Sequence, residues 1–186
     1  DSIDEVVLVV GYLGNAIQEY FGDTFAGKRL RYVVQENPAG GTADALWQAK
    51  DILSNKFVVM NGDDLYARED VEACMKTKDW AMLVIERDPL LSGGKVVTDE
   101  RNRIHRIEEG SHKGPGLMNT GLYVLDSRIF SYTPVPKGPG EKELGLPQTM
   151  MQAVDDLDIE AVKATRWMQI NAPEDIEVAE KGLSAS

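Results

Sequence analysis

Residues 30–53 read LRYVVQENPAGGTADALWQAKDIL, and three textures succeed one another within them. Leu30 to Val34 is a short apolar, β-branched run of strand type, and Gln35 to Gly41 is rich in turn formers. From there Ala45, Leu46, Ala49, Ile52 and Leu53 recur at spacings of three and four, the period of one helix face, with Gly41-Thr42 as the cap. Strand, glycine loop and helix in that order make a βα unit. The same succession appears where Val6 to Val10 precedes a helix around Asn15 to Phe21, and where Phe57 to Met60 precedes one over Glu69 to Lys78. Apolar runs that do not alternate indicate strands covered on both faces, as in a parallel sheet between helix layers.

Beyond Trp80 the pattern turns antiparallel. Ala81 to Glu86 reads as a strand, and Gly94 to Ile107 as a hairpin turning near Arg101-Asn102. Gly110 to Gly116 is a loop, Leu117 to Leu125 a strand, Thr133 to Gly140 a proline-rich loop and Glu141 to Val154 a helix. Two strands, Ile159 to Lys163 and Trp167 to Ile170, lead to a helix opened by Ala172-Pro173-Glu174-Asp175, with proline in its first turn and acids at the positive dipole end. No repeat or low-complexity linker interrupts this order, so the expectation is one domain over residues 1–186.

The 186 residues are 42% hydrophobic and 27% charged, an ordinary globular balance that excludes a disordered tail or a membrane bundle. Twenty Lys plus Arg against 31 Asp plus Glu leave a net charge of −11, which repels nucleic acid and anionic lipid. Neither is expected as a partner. Cys74 is the only cysteine, so no internal disulfide forms, and with two histidines the chain lacks the donors of a usual zinc site. A reducing cytoplasm is the expected location. The chain opens at Asp1 rather than Met and enters a buried-strand pattern at once, from which we expect the true start to lie upstream. No signal segment is evident, and no apolar run approaches the ~18 residues of a membrane span.

Gly11-Tyr12-Leu13-Gly14 sits at a strand-to-helix turn but lacks the further glycine of a dinucleotide loop and reads as a tight βα turn. Gln35 to Asp44 lies at the carboxyl edge of the sheet, where open α/β sheets bind ligands. Gly40 and Gly41 permit close backbone approach, and Gln35 carries a donor and an acceptor in one plane, the geometry that reads a base edge. The plain alternative is a Pro-Gly loop with a helix cap. Asn61-Gly62-Asp63-Asp64 follows the next strand, so at most one of two adjacent carboxylates faces a ligand; it suits Mg²⁺, or the segment is an ordinary acidic turn. No serine, threonine or cysteine has a histidine placed to activate it, and Cys74 falls among apolar neighbours in a helix.

Taken in order, VVLVVGYLGNAIQEYFGD, VVQENPAGGTADALWQA, FVVMNGDDLY, MNTGLYVLD and WMQINAPEDIEVA resemble the sugar-phosphate nucleotidylyltransferases, or NDP-sugar pyrophosphorylases, from Ile3 to about Lys181. The resemblance implies a Rossmann-like three-layer αβα fold with a mixed, mostly parallel central sheet. It also implies Mg²⁺-dependent reaction of UTP or dTTP with a sugar 1-phosphate, giving an NDP-sugar and pyrophosphate. By position Gln35 resembles the glutamine that recognises uracil or thymine, Gly41-Thr42 the pair packed on that base, and Asp63 the aspartate that holds Mg²⁺ and serves catalysis. Gly94, Glu109 (or Glu108) and Asn119-Thr120-Gly121 resemble the sugar-binding positions, and Asn171 or Gln169 the second metal ligand.

Four departures accompany it. One extra residue separates Gln35 from Gly41, so the loop bulges or Gly40 shares the role. Gly110 stands where a phosphate-binding lysine is usual, with Lys113 nearest. Gln169 replaces the frequent metal-binding aspartate, which favours Asn171. The family's first strand, with its glycine-rich loop, arginine and later lysine, has no match here. The expectation is therefore a chain missing its first strand, able to bind but inactive as it stands, and self-associating to cover the vacancy. The alternative is a catalytically silent nucleotide- or sugar-nucleotide-binding regulatory domain of the same fold.

Overall fold

A computed structural model describes residues 3–184. In chain order they form β1 (Glu5–Val10), α1 (Gly14–Phe21), β2 (Thr24–Phe25), β3 (Lys28–Val34), α2 (Gly41–Gln48), β4 (Lys56–Met60), β5 (Asp64–Tyr66), α3 (Arg68–Met75) and β6 (Trp80–Arg87). There follow β7 (Lys95–Thr98), β8 (Ile104–Glu108), β9 (Gly116–Asp126), β10 (Val135–Pro136), β11 (Leu144–Gly145), α4 (Leu146–Met150), β12 (Ile159–Lys163), β13 (Trp167–Gln169) and α5 (Pro173–Ser184). These elements fall into two units, Asp1–Asn55 with Ser127–Gln152, and Lys56–Asp126 with Ala153–Ser186.

In the first unit β1 and β3 are parallel, from Glu5 beside Arg29 to Val10 beside Val34, so their carboxyl ends lie level. The connecting helix α1 stops at Gly22, whose φ of 63° suits glycine and whose N–H bonds the Gln18 carbonyl at 2.8 Å. Helix α2 packs against α4 and against the short antiparallel ribbon of β10 and β11.

The second unit is built on β9. Leu122–Asp126 pairs antiparallel with β4 and Leu117–Met118 with β7, while β6 takes the opposite edge and continues to a parallel β12. Both faces of β6 are covered, since Trp80, Ala81, Met82, Leu83 and Val84 are all fully buried. On one face Cys74 of α3 meets Ala81, Leu83, Leu122 and Val124, flanked by Val58, Tyr66, Val71 and Met75. Each large side chain buried there contributes ~1.5–3 kcal/mol. Among the described residues no helix is long and apolar enough to cross a membrane.

Among the described residues the sheets are mixed as expected, with β1–β3 and β6–β12 parallel and the other named strand pairs antiparallel. Of the three apolar runs read as parallel strands, β1 and β3 do pair in parallel, and β4 is antiparallel to β9. Several expectations need correction. Helix α2 ends at Gln48, and its N-cap is Gly40, without a side-chain cap. The helix expected over Glu141 to Val154 is only α4 with a 3₁₀ turn at Met151–Ala153, because Leu144–Gly145 is drawn into pairing with Val135–Pro136. Among the described residues β1 pairs only with β3 along one edge and β4 only with β9, so each keeps an edge of the kind another strand can pair with.

Cys74 provides a solution test of this packing. Burial pushes its thiol up to about 12 from an ordinary 9.0, so its thiolate fraction at neutral pH is depressed by about three orders of magnitude. Iodoacetamide labelling should therefore be about 1000-fold slower in the folded chain than in urea. Equal rates would show that α3 does not cover the sheet.

Candidate functional site

In the first unit the loop after β3 is fixed by its main chain. Gln35 N–H donates to the Val10 carbonyl (2.8 Å), continuing the β1–β3 ladder, and Gly40 N–H closes a turn on the Asn37 carbonyl (2.8 Å). Gly41 has φ +90°, and any Cβ there would meet the Leu144 main chain. At Gly40, with φ −71°, a Cβ would overlap the Asp44 carboxylate, a side chain rather than main chain. Both glycines of the expected base-binding loop thus have distinct steric reasons. Gln35 Nε2 donates to Asp44 Oδ2 (2.8 Å) and to the Gly41 carbonyl (3.2 Å). Thr42 Oγ1 accepts from the Leu146 N–H (3.0 Å), tying α2 to the start of α4. Asp44, one helical turn beyond Gly40, was missed from sequence; its place in the first turn of α2, facing back to the loop, was the available signal.

In the second unit the turn between β4 and β5 carries Asp63 exposed and Asp64 buried. The Asp63 carbonyl accepts from the Ile170 N–H (2.8 Å), so Asn171, just past β13, is at the same strand end. Asn171 and Ala172 N–H groups donate to Asp175 Oδ2 (2.8 and 3.0 Å), which caps α5 and leaves the Asn171 side chain exposed. Asp64 turns inward, where its Oδ2 accepts from Asn61 Nδ2 (3.1 Å). The Tyr66 hydroxyl lies 3.0 Å from Asp64 Oδ2 and 2.8 Å from the Thr120 carbonyl, one proton between two acceptors. Burial raises the Asp64 carboxyl above its ordinary range, against the opposing pull of Tyr66, Asn61 and Trp167, although Asp64 Oδ1 and Trp167 Nε1 make no hydrogen bond of good geometry. Burial likewise pushes the Tyr66 hydroxyl up.

The expected sugar-binding residues converge from three segments. Asn119 N–H donates to the Gly94 carbonyl (3.1 Å), and a Cβ on Gly94 would stand 3.1 Å from Glu109 Oε1. Asn119 Nδ2 donates to the Tyr123 hydroxyl (2.8 Å), and its Oδ1 accepts from the Gly121 N–H (3.0 Å). Burial raises the Tyr123 hydroxyl, with Glu109 adding to the effect. Glu108 is paired with Arg106 (2.8 Å), and it is Glu109 whose carboxylate lies beside Gly94. Thr120 must be corrected as a side-chain contact: it is 1% exposed and its hydroxyl donates to the Leu83 carbonyl (2.8 Å). A register shift of β9 against β6, with Gly121 at φ +80°, turns Thr120 into the core. Lys113 is exposed in a loop whose neighbours Gly110 and Gly114 bond back to Gly93 and Leu90.

A groove of about 770 Å³ in the first unit, lined by Val10, Gly14, Gln18, Arg31 and Tyr32, contains none of the expected site residues. Among the described residues no three His, Cys, Asp or Glu side chains converge as a metal cage.

With this geometry in place, comparison with known proteins is decisive for the family. A model described as nucleotidyl transferase matches residues 1–185. The bifunctional protein GlmU of Methanocaldococcus jannaschii is 28% identical over 98% of this chain and 44% of its own length. The D-glycero-alpha-D-manno-heptose 1-phosphate guanylyltransferase of Campylobacter jejuni is 30% identical over 70% of this chain and 58% of its own. The chain thus spans about half the length of these two relatives. Among solved structures, one named as a putative glucose-1-phosphate thymidylyltransferase from Bacillus anthracis superposes with a TM-score of 0.74 over 94% of this chain and 74% of that one, at 22% identity, a likeness of fold. The α/β architecture with its mixed sheet and the match along nearly the whole sequence agree: the chain belongs to the nucleotidyl transferase family.

Proposed function

We propose that the chain binds a nucleoside triphosphate, UTP or dTTP, and a sugar 1-phosphate, and transfers the nucleotidyl group to the sugar phosphate with release of pyrophosphate. The observation that carries this reading is the convergence of Gly94, Glu109 and Asn119 from three separate segments. The bare glycine lets the Glu109 carboxylate lie against the main chain that Asn119 N–H holds, which sets a hydroxyl-binding group on this strand. Gln35, Gly40, Gly41 and Thr42 would take the base, at the level carboxyl ends of β1 and β3.

Mg²⁺ fits the donor set. An exposed Asp63 carboxylate and Asn171 amide at one strand end, with no group of three acids among the described residues, offer the few oxygens that Mg²⁺ takes from protein, leaving the rest to water and phosphate. When bound, the ion offsets phosphate charge. The chain's own part is positioning: holding sugar and base while displacement occurs at phosphorus.

Pyrophosphate release should be measured with glucose 1-phosphate as a first acceptor, beside calorimetry of each substrate. Binding with Mg²⁺-dependent release supports the transferase. Nucleotide binding without release from any of a panel of sugar 1-phosphates would favour the silent binding module, and absence of binding would refute both.

A further inference from the structure

Strand β9 bulges at the root of the sugar-binding segment, and the bulge is held from the acid turn. Met82 of β6 faces Tyr123 and Val84 faces Asn119, so Thr120, Gly121 and Leu122 stand opposite Leu83 alone. Backbone groups that leave a ladder need other partners, or they are desolvated without a bond. Here Asn61 N–H donates to the Gly121 carbonyl (3.3 Å), and the Tyr66 hydroxyl donates to the Thr120 carbonyl (2.8 Å). Asp64 ties these two residues together, its Oδ2 accepting from Asn61 Nδ2 (3.1 Å) and lying 3.0 Å from the Tyr66 hydroxyl. Gly121, at φ +80°, lies against the Asn61 amide, which a Cβ there would overlap. The Tyr66 ring packs on the core of Cys74, Ala81, Leu83, Leu122 and Val124, so apolar contact sets where its hydroxyl stands.

We propose that Tyr66 is a positioning residue for the sugar site: its hydroxyl fixes the Thr120 carbonyl and thereby keeps Asn119 in line with Gly94 and Glu109. This rests on the sugar-binding reading above and deepens it. Asn119 directly precedes the held residue, and its own Oδ1 spans the bulge to the Gly121 N–H (3.0 Å). Its N–H donates to the Gly94 carbonyl (3.1 Å), and the Glu109 carboxylate lies beside Gly94. A shift of the Thr120 peptide is therefore passed to all three residues. The supports Asn61, Asp64 and Tyr66 flank Asp63, whose side chain is exposed, so one turn presents an acid outward and braces the sugar segment inward. Gln35 and its loop belong to the other unit and share none of these bonds. Loss of the hydroxyl should thus weaken the sugar's contribution to binding and leave the nucleotide's unchanged.

The test is Tyr66→Phe, which deletes one oxygen and keeps the ring, beside Val71→Ala, which thins the same core from α3 and removes no polar group. Both variants and the unaltered chain are titrated calorimetrically, with Mg²⁺, against glucose 1-phosphate, UDP-glucose beside UDP, and GDP-mannose beside GDP. In Tyr66→Phe the sugar ligands that bind the unaltered chain should weaken by about 5- to 20-fold, the scale of one lost hydrogen bond and the displacement it allows, while UDP and GDP bind as before. Val71→Ala should melt earlier yet keep every affinity within about 2-fold, a split that a merely structural role of Tyr66 does not produce. Unchanged sugar affinity in Tyr66→Phe, equal losses in both variants, or a loss for UDP and GDP as large as for the nucleotide sugars would each overturn the inference while leaving sugar binding intact. An unfolded Tyr66→Phe chain would overturn it as well, since the hydroxyl would then hold the fold and not the site. Absence of binding by every sugar ligand to the unaltered chain would instead overturn the sugar-binding reading, and the inference with it.

Discussion

Gly41→Ala should lower the melting temperature by roughly 4–20 °C and abolish nucleotide binding. Two costs coincide at this position. The backbone is at φ +90°, a region an L side chain enters at ~1–2 kcal/mol. The new Cβ would also meet the Leu144 main chain, with the Leu144 nitrogen only 2.7 Å away. That backbone cannot withdraw easily, since Leu144 N–H donates to the Gly40 carbonyl (2.8 Å), the Glu143 carbonyl accepts from Lys137 N–H (2.8 Å), and β11 pairs with β10. Overpacking of this kind costs ~1–3 kcal/mol more. At ~2–4 °C per kcal/mol for a chain of this size, the sum gives the stated shift. The loop would also carry the Gly41 carbonyl away from Gln35 Nε2. Gly138→Ala is the control: a Cβ there meets only Glu141 Cγ, at 3.7 Å, and its effect should stay within ~0.5 kcal/mol. Thermal melts of both variants decide the matter. A Gly41→Ala chain that melts like the unaltered one would remove the steric account of the loop.

What periodicity encodes was legible beforehand. The apolar runs of β6 and β9, the hairpin of β7 and β8, and the acids and proline opening α5 are local patterns, and the structure keeps them within a residue or two. What failed were properties decided by distant partners. Leu144 and Gly145 have no strand signal of their own and become β11 only because Val135 and Pro136 lie opposite. Thr120 sits in a motif that reads as sugar-binding, yet the register shift beside Gly121 decides which way it faces, and no spacing within MNTGLYVLD reveals that shift. Gln35 was legible as a residue able to read a base edge. Its loss of donor capacity was not, because that depends on Asp44 returning to it after one turn of α2, nine residues on.

The two neighbouring acids should respond oppositely to substitution. Asp63→Asn should leave the melting temperature nearly unchanged while reducing Mg²⁺-dependent turnover by roughly 10²–10³-fold, the scale for removing one electrostatic group from a reacting centre. Its side chain is exposed, and its structural bond, the carbonyl accepting from Ile170 N–H, belongs to the backbone and survives the change. Asp64→Ala removes the acceptor of Asn61 Nδ2 and one of the two acceptors near the Tyr66 hydroxyl, leaving a half-buried amide hydrogen unpaired at ~1 kcal/mol. Asn61 in turn stands against Gly121, whose N–H is held by Asn119 Oδ1, so loosening Asp64 reaches the sugar-binding segment through packing. The Asp64 variant should therefore lose stability first and lose turnover less than Asp63→Asn does. Melting curves read beside initial rates at saturating Mg²⁺ separate the roles. Equal losses of turnover with equal stability would mean that both carboxylates act on the ligand, and unfolding by Asp63→Asn would mean that the exposed acid is structural; either result would move the metal away from Asp63.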